Sequence, residues 1–471
     1  MGSSRRRLSH KLLLPVAAAM LLAWGVFSIA PRARLDPRHP DLHMTDFTVF
    51  TTASAALLVG NDPYAATSPR GWPYLYPPFF ALLVAPLRQL PTHIQALCWF
   101  VINAGLLFGC LYEARRIGLI IWQEALAADP SQNEPCSAPG WRRPPGWIGI
   151  LAFLAALLPA LDCLQAGQTG HAILYPLLVG LRWLITASTW QRRALAGVVL
   201  AVPIAIKVTP ALPVPLLVAV QLLRRPRRHA LQTFAGLAAA SAACWLLLPS
   251  MAVGWRCNYR LLARWYQQIG RATDVAAQTG INLLSPRNQG LYIACYRATH
   301  GWPVRYREPA ASASDKPSAR NLNPAVGSWR KLAGICCAAP LMLVAATAVP
   351  LARMNQPAGS AAAFGLGCTA SLLVSPISWG HHFVLLLPAS LFVCGLLYLV
   401  GRPRLALGLS ISLPLLTILH YAALEVAGRY ALLAFGLTLW LVVACVLLWA
   451  ASTAPSSAQC PRPVEGRTRR T

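Results

Sequence analysis

Apolar runs of close to twenty residues, separated by short connectors rich in arginine, recur along most of this chain. A helix rises about 1.5 Å per residue, so each such run is long enough to cross the roughly 30 Å of hydrocarbon in a bilayer. Repetition of the pattern predicts an all-α polytopic membrane bundle rather than a string of soluble domains. Composition agrees. Of 471 residues, 56% are hydrophobic and 12% are charged, with a mean hydropathy of +0.50. A soluble domain carries about 25% charged residues, so this chain has too few to dress a water-facing surface of its size.

Candidate spans cover 12–30, 94–112, 146–164, 171–188, 194–206, 208–223, 229–249, 331–352, 359–377, 382–400, 404–420 and 430–450. Together they make one transmembrane domain over 12–452, of about 12 helices. Pro203, Pro210, Pro213 and Pro215 interrupt the shorter spans. The Arg5-Arg6-Arg7 start resembles a signal peptide, but no small-residue cleavage site follows, and a retained first helix is the better reading.

The 41 Lys and Arg against 14 Asp and Glu give a net charge of +27. No basic groove interleaved with stacking aromatics accompanies that charge, which argues against nucleic acid. The arginines instead alternate with the spans, as a positive-inside bias requires. With the N-terminus (1–11) inside, Arg115/Arg116, Arg142/Arg143, Arg192/Arg193, Arg224 to Arg228, Arg353, Arg402/Arg404 and the basic tail 453–471 all fall on the cytoplasmic side. That tail is expected to be disordered. Loops 31–93 and 250–330 then lie outside. The run Pro77 to Leu87 is too short to span and reads as an amphipathic helix on the outer face. Most of the thirteen cysteines fall in apolar runs. Cys257 and Cys295 share a polar outer loop and form a candidate disulfide.

Under this topology, polar groups collect at one side of the membrane: Asp46, Asp162 to His171, Lys207, Asn288-Gln289, Ser375 to His382, and His420 with Glu425. Asp46 reads either as the cap of a helix starting near Thr48 or as a general base. Lys207 either snorkels to the interface or clamps a lipid phosphate. In Ser375-Pro376-Ile377-Ser378-Trp379-Gly380-His381-His382, adjacent histidines point apart on a helix and lack a carboxylate partner pattern, so metal is not expected. Donation from the histidines to a phosphate or sugar oxygen fits better. Trp379 suits either a sugar face or the interfacial aromatic belt. Gln168, in the turn Gly167-Gln168-Thr169-Gly170-His171, is a turn residue or a partner for a sugar hydroxyl.

These segments together resemble the actinobacterial polyprenol-phosphate-mannose-dependent mannosyltransferases of glycosyltransferase family 87, which have the GT-C fold. Asp46, Phe47, Phe50, Gly60, Pro63 and Tyr64 match that family's first-loop pattern, and Tyr76-Pro77-Pro78 its Tyr-Pro-Pro step. Gly167-Gln168, Lys207-x-Thr209-Pro210, Asn288-Gln289 and the Ser375 to His382 run match as well. The chain departs from the pattern at Gly170, where Asn is frequent, at Gly290, where Ser is common, and in an insert at 305–325.

The resemblance implies a GT-C bundle performing metal-independent, inverting transfer. Asp46 would be the base. Lys207, His381, His382, Ser378 and Trp379 would hold the donor, with Tyr64, Tyr76, Gln168, His171, Asn288 and Asn-adjacent Gln289 as further substrate contacts. No cofactor is implied beyond the lipid-linked donor, polyprenyl-phosphate mannose. The acceptor would be a lipid-linked or cell-wall glycan at the extracytoplasmic face. Asp41, Asp62 and Asp162 are rival bases. The alternative class is a transporter or flippase of a lipid-linked sugar, which calls for ionisable residues at mid-membrane.

Overall fold

The computed structural model describes residues 45–67, 73–127, 145–224, 226–270, 285–300, 326–354 and 356–453, with scattered positions in 19–43. Most of the expected span 12–30, the insert 305–325 and both chain ends lie outside the described residues.

The bundle is helical. After α1 (Phe47–Leu58), two short helices, α2 (Pro78–Leu83) and α3 (Ala85–Arg88), lead into α4 (Thr92–Ala127). Then come α5 (Gly146–Ala166), α6 (Gly170–Ile185), α7 (Trp190–Ile206), α8 (Pro213–Leu223) and α9 (Arg228–Val253). The chain continues through α10 (Trp255–Gly270), α11 (Leu291–His300), α12 (Val326–Arg353), α13 (Gln356–Val374) and α14 (Gly380–Leu399). It closes with α15 (Pro403–Ala422), α16 (Leu424–Arg429) and α17 (Leu432–Thr453). One departure from the all-α expectation is a small antiparallel pair, Leu35–Asp36 with His39–His43.

Among the described residues, eight helices are long and apolar enough to cross a membrane. That is fewer than the twelve spans read from the sequence. Helices α6, α7 and α8 occupy expected spans but run only 16, 17 and 11 residues. The shortfall in α8 has a local cause. Lys207 leaves α7 in an extended conformation (φ −155°, ψ 132°), and a 3-10 turn at Thr209–Ala211 precedes Pro213. Proline offers no N–H and disfavours helix in the residue before it, so Pro210 and Pro213 in close succession favour the break. Pro203, expected to interrupt, sits inside α7.

Aromatic residues mark the two ends of the bundle. At one end, Trp99 Nε1 donates to the Gly167 carbonyl at 2.9 Å. At the other, the Tyr398 ring packs on Trp122 at 5.9 Å and on Trp147 at 6.0 Å. Some 23 helical residues from Trp99 to Trp122 give roughly 34 Å, close to a bilayer's hydrocarbon thickness of about 30 Å, with aromatic rings at both boundaries.

Helix α13 is the axis of the bundle, with 94% of its apolar window buried. Its Ala, Gly and Ser residues let neighbouring backbones approach closely. Two polar devices tie helices together where apolar packing alone would leave register loose. The Arg224 guanidinium, at the end of α8, donates to the carbonyls of Leu351, Ala352, Met354 and Gln356 and to Ser360 Oγ. Deep between α4 and α6, Arg182 donates to both oxygens of Glu113.

Cys257 lies on α10 and Cys295 on α11. The side chain against Cys295 is Cys336, from α12, rather than Cys257.

Candidate active site

The Trp99 end of the bundle carries a continuous set of polar contacts, and it begins at Asp46. This residue holds the N-cap position of α1, yet its side chain makes no capping bond. Its Oδ2 instead accepts from Gln168 Nε2 at 2.8 Å. The backbone fixes this pairing, because Asp46 N–H donates to the Ala166 carbonyl at 3.0 Å. Gly167, at φ +71°, ends α5 in a left-handed turn that glycine adopts without strain. That turn brings Gln168 beside the start of α1, with Phe47 stacked on Trp99 at 4.6 Å between ring centroids.

Tyr76 takes the contacts onward. Its Oη lies 3.4 Å from both Gln168 Oε1 and Thr169 Oγ1. Burial pushes its pKa up, with the Asp46 charge adding to the shift, so the phenol stays protonated as a donor. Its ring sits 5.5 Å from Lys207 Nζ, a cation–π distance. Tyr64 supports Tyr76 from behind, its Oη donating to the Tyr76 carbonyl at 3.3 Å. Helix α10 closes over the same strand, with Trp265 Nε1 donating to the Leu75 carbonyl.

Lys207 owes its position to the break between α7 and α8 described above. Its Nζ lies 2.6 Å from His382 Nε2. The Trp379 N–H lies 3.2 Å from His382 Nδ1. Lysine and histidine share one hydrogen bond, whose donor depends on the ring's tautomer, and the lysine's other N–H groups can meet an anion beside the pair. The His381 ring meets that of His382 edge-on at 4.4 Å. Its Nδ1 stands 3.9 Å from Asp162 Oδ2, which accepts from Tyr421 Oη at 3.1 Å.

Other residues singled out in the sequence do different work. Asn288 and Gln289 are fully enclosed and hold backbone. Asn288 Oδ1 accepts from the Ser378 and Gly290 N–H groups, while its Nδ2 donates to the Pro376 carbonyl. Gln289 Nε2 donates to the carbonyls of Pro286 and Gly428. Arg297 reinforces them, donating to the carbonyls of Asn288, Gly428 and Ser285. They therefore brace the Ser375 to His382 loop from beneath. Gly290 completes the brace: a Cβ there would lie 2.3 Å from the Ser375 carbonyl oxygen. Ser378 is fully buried, its Oγ without a partner among the described residues. His171 is also fully buried, and neither ring nitrogen finds a partner among the described residues.

Of the rival acids, Asp62 caps the turn at Tyr64 N–H and pairs with Arg264 at 3.0 Å, away from the lysine and histidines. The Asp41 side chain lies outside the described residues. Asp162 belongs to the site, and so does Tyr421, which sequence reasoning missed although it follows His420. Thr169 was passed over as a turn residue. Among the described residues, no three His, Cys, Asp or Glu side chains gather as a metal-holding group.

Fold and site together define a polytopic membrane protein whose polar centre, with a carboxylate, a lysine and paired histidines, sits at one end of its bundle. The chain belongs to glycosyltransferase family 87, whose family model matches residues 74–376. The match takes in Tyr76, Asp162, Gln168, His171, Lys207, Asn288 and Gln289; Asp46, Tyr64 and Ser378 to His382 fall outside it. No curated protein matches the chain, and no solved structure does. Membership makes the protein a glycosyltransferase, with a sugar donor and a glycan acceptor as its partners.

Proposed function

We propose that this glycosyltransferase moves a hexose, namely mannose, with inversion from a polyprenyl-phosphate donor to a lipid-linked or cell-wall glycan, at the extracytoplasmic face. The observation that carries this reading is the single line of contacts from Asp46 through Gln168 and Tyr76 to Lys207 and His382. One end of it offers a proton acceptor. The other offers donors to an anion.

The acceptor hydroxyl attacks the anomeric carbon and gives its proton to Asp46 Oδ1 or Oδ2, with Gln168 holding the carboxylate in place. The anomeric carbon–oxygen bond to phosphate breaks as the new bond forms on the opposite face, turning a β-linked donor into an α-linked product. The bonding electrons leave on the phosphate. Lys207 Nζ, with His382 as its hydrogen-bond partner, stabilises that developing charge, and such preorganised donors usually contribute the largest part of catalysis. His381, beside Asp162, stands ready for a sugar hydroxyl or a second phosphate oxygen. A lipid-phosphate donor suits a polar centre at one end of a membrane-spanning bundle, where its head group would rest. No resident cofactor has a part in this scheme.

The test is to incubate membranes carrying the protein with radiolabelled polyprenyl-phosphate mannose and extract the products. Label in a glycolipid or glycan that disappears with Asp46→Asn supports the reading. Unchanged labelling with Asp46→Asn, or translocation of the donor without transfer, overturns it.

A further inference from the structure

A cavity of about 320 Å³ opens between α4, α5 and α14, in the half of the bundle where Tyr398 packs on Trp122 and Trp147. Its wall is mostly apolar, reaching from Leu111, Phe153 and Leu387 to Trp122. From Leu111 to Trp122, α4 rises roughly 16 Å, half of the about 30 Å of hydrocarbon in a bilayer. The cavity therefore has the depth of one leaflet. Glycines make the room: Gly118, Gly149 and Gly395 line it, and a Cβ on any of them would meet nothing within 4 Å.

Two polar groups in the wall have no use for hydrocarbon alone. Trp122 is 6% exposed, and its Nε1 finds no acceptor among the described residues. A buried donor left without an acceptor is costly. Two turns earlier on α4, Arg115 lines the cavity from its exposed side, and no carboxylate pairs with it among the described residues. A guanidinium on the outer face of a membrane-spanning helix calls for an anion or a path to the interface.

We infer that this cavity holds an acyl chain of one anionic phospholipid, with the lipid phosphate on Arg115 and an ester or phosphate oxygen accepting from Trp122 Nε1. A polyprenyl tail would suit the apolar wall but offers neither an acceptor nor a negative charge at this end. The three helices that the lipid grips all run to the candidate active site. Helix α4 carries Trp99, α5 ends at the Gly167-Gln168 turn, and α14 begins at Gly380, next to His381 and His382. The lipid thus ties together the far ends of the helices that set out the polar centre.

The test is native mass spectrometry of the delipidated full-length protein in detergent, titrated with phosphatidylglycerol or phosphatidylcholine. One phosphatidylglycerol should be retained and should raise the thermal midpoint. Phosphatidylcholine, which carries its own cation beside the phosphate, should bind more weakly. Arg115→Gln should weaken retention about tenfold, and Trp122→Phe, which keeps a ring without the donor, roughly three- to tenfold. Gly395→Leu on α14, or Gly118→Leu on α4, should abolish retention while its lipid-free thermal midpoint stays at or above that of the parent. Absence of any retained lipid, equal retention of both lipids, or retention unchanged in Arg115→Gln and the leucine variants overturns the inference. Polyprenyl phosphate that displaces the phosphatidylglycerol would assign the cavity to the donor's tail, and also overturns it. No sugar is transferred in these assays, so their outcome is separate from that of the transferase reading.

Discussion

Gln168 Nε2 donates to the Asp46 carboxylate at 2.8 Å although the two residues stand 122 positions apart. Asp46 occupies an N-cap position without capping. A carboxylate taken from its local backbone role and held by a distant amide is set out for another purpose.

Asp46→Asn is accordingly expected to lower turnover by about 10²–10⁴-fold while expression and donor binding persist. Asn would cap about as well as Asp, so a capping role predicts near-normal rates. Asp62→Asn is the control: its partner Arg264 is exposed, and such pairs contribute little. Single-turnover assays decide the matter. Normal turnover in Asp46→Asn with loss in Asp162→Asn would move the base to Asp162.

Lys207→Ala and His382→Ala should each impair use of the donor far more than use of the acceptor. Their nitrogens share a hydrogen bond at 2.6 Å, so their effects are coupled and the double variant should lose less than the product of the two single losses. Kinetics with donor and acceptor varied separately give the comparison. Equal loss toward both substrates would count against a phosphate contact.

Gly290→Ser places a Cβ where the Ser375 carbonyl oxygen already stands, at 2.3 Å. The backbone must part there, at a cost of about 1–3 kcal/mol by analogy with overpacked cores. The expected outcome is a lower thermal midpoint together with a raised donor KM, because the displaced loop carries His381 and His382. A variant as stable and as active as the parent would show the contact to be slack.

Glu113→Ala leaves Arg182 without its carboxylate, with side-chain exposures of 6% for Glu113 and 17% for Arg182. Removing one partner of a buried pair costs about 3–5 kcal/mol. Thermal unfolding in detergent should show the loss, and Glu113→Met with Arg182→Met together should recover much of it. A transporter reading predicts instead that the stable double variant loses substrate movement. Retained glycosyl transfer in the double variant would make this pair a structural tie.

Part of the site was legible because polar residues are conspicuous in an apolar sequence. Lys207 stands out at the end of an apolar stretch, and His381-His382 interrupt two spans. The same logic singled out Asn288 and Gln289, whose amides bond carbonyls of the chain itself. It passed over Glu113 and Arg182, which pair across 69 positions deep in the bundle.

The sequence by itself determined the class of fold, since runs of apolar residues near twenty in length have few ways to satisfy both backbone and bilayer. It also showed Pro203, Pro210, Pro213 and Pro215 clustered around Lys207, but not which of them would end the helix there. Only the tertiary structure decided which polar groups meet. Lys207 finds His382 across 175 positions, and Tyr76 finds Gln168 across 92. Such pairings depend on how helices stack and rotate about α13, which is set by close packing among many side chains. Hydropathy records that a residue is buried or at an end, but not which neighbour it faces.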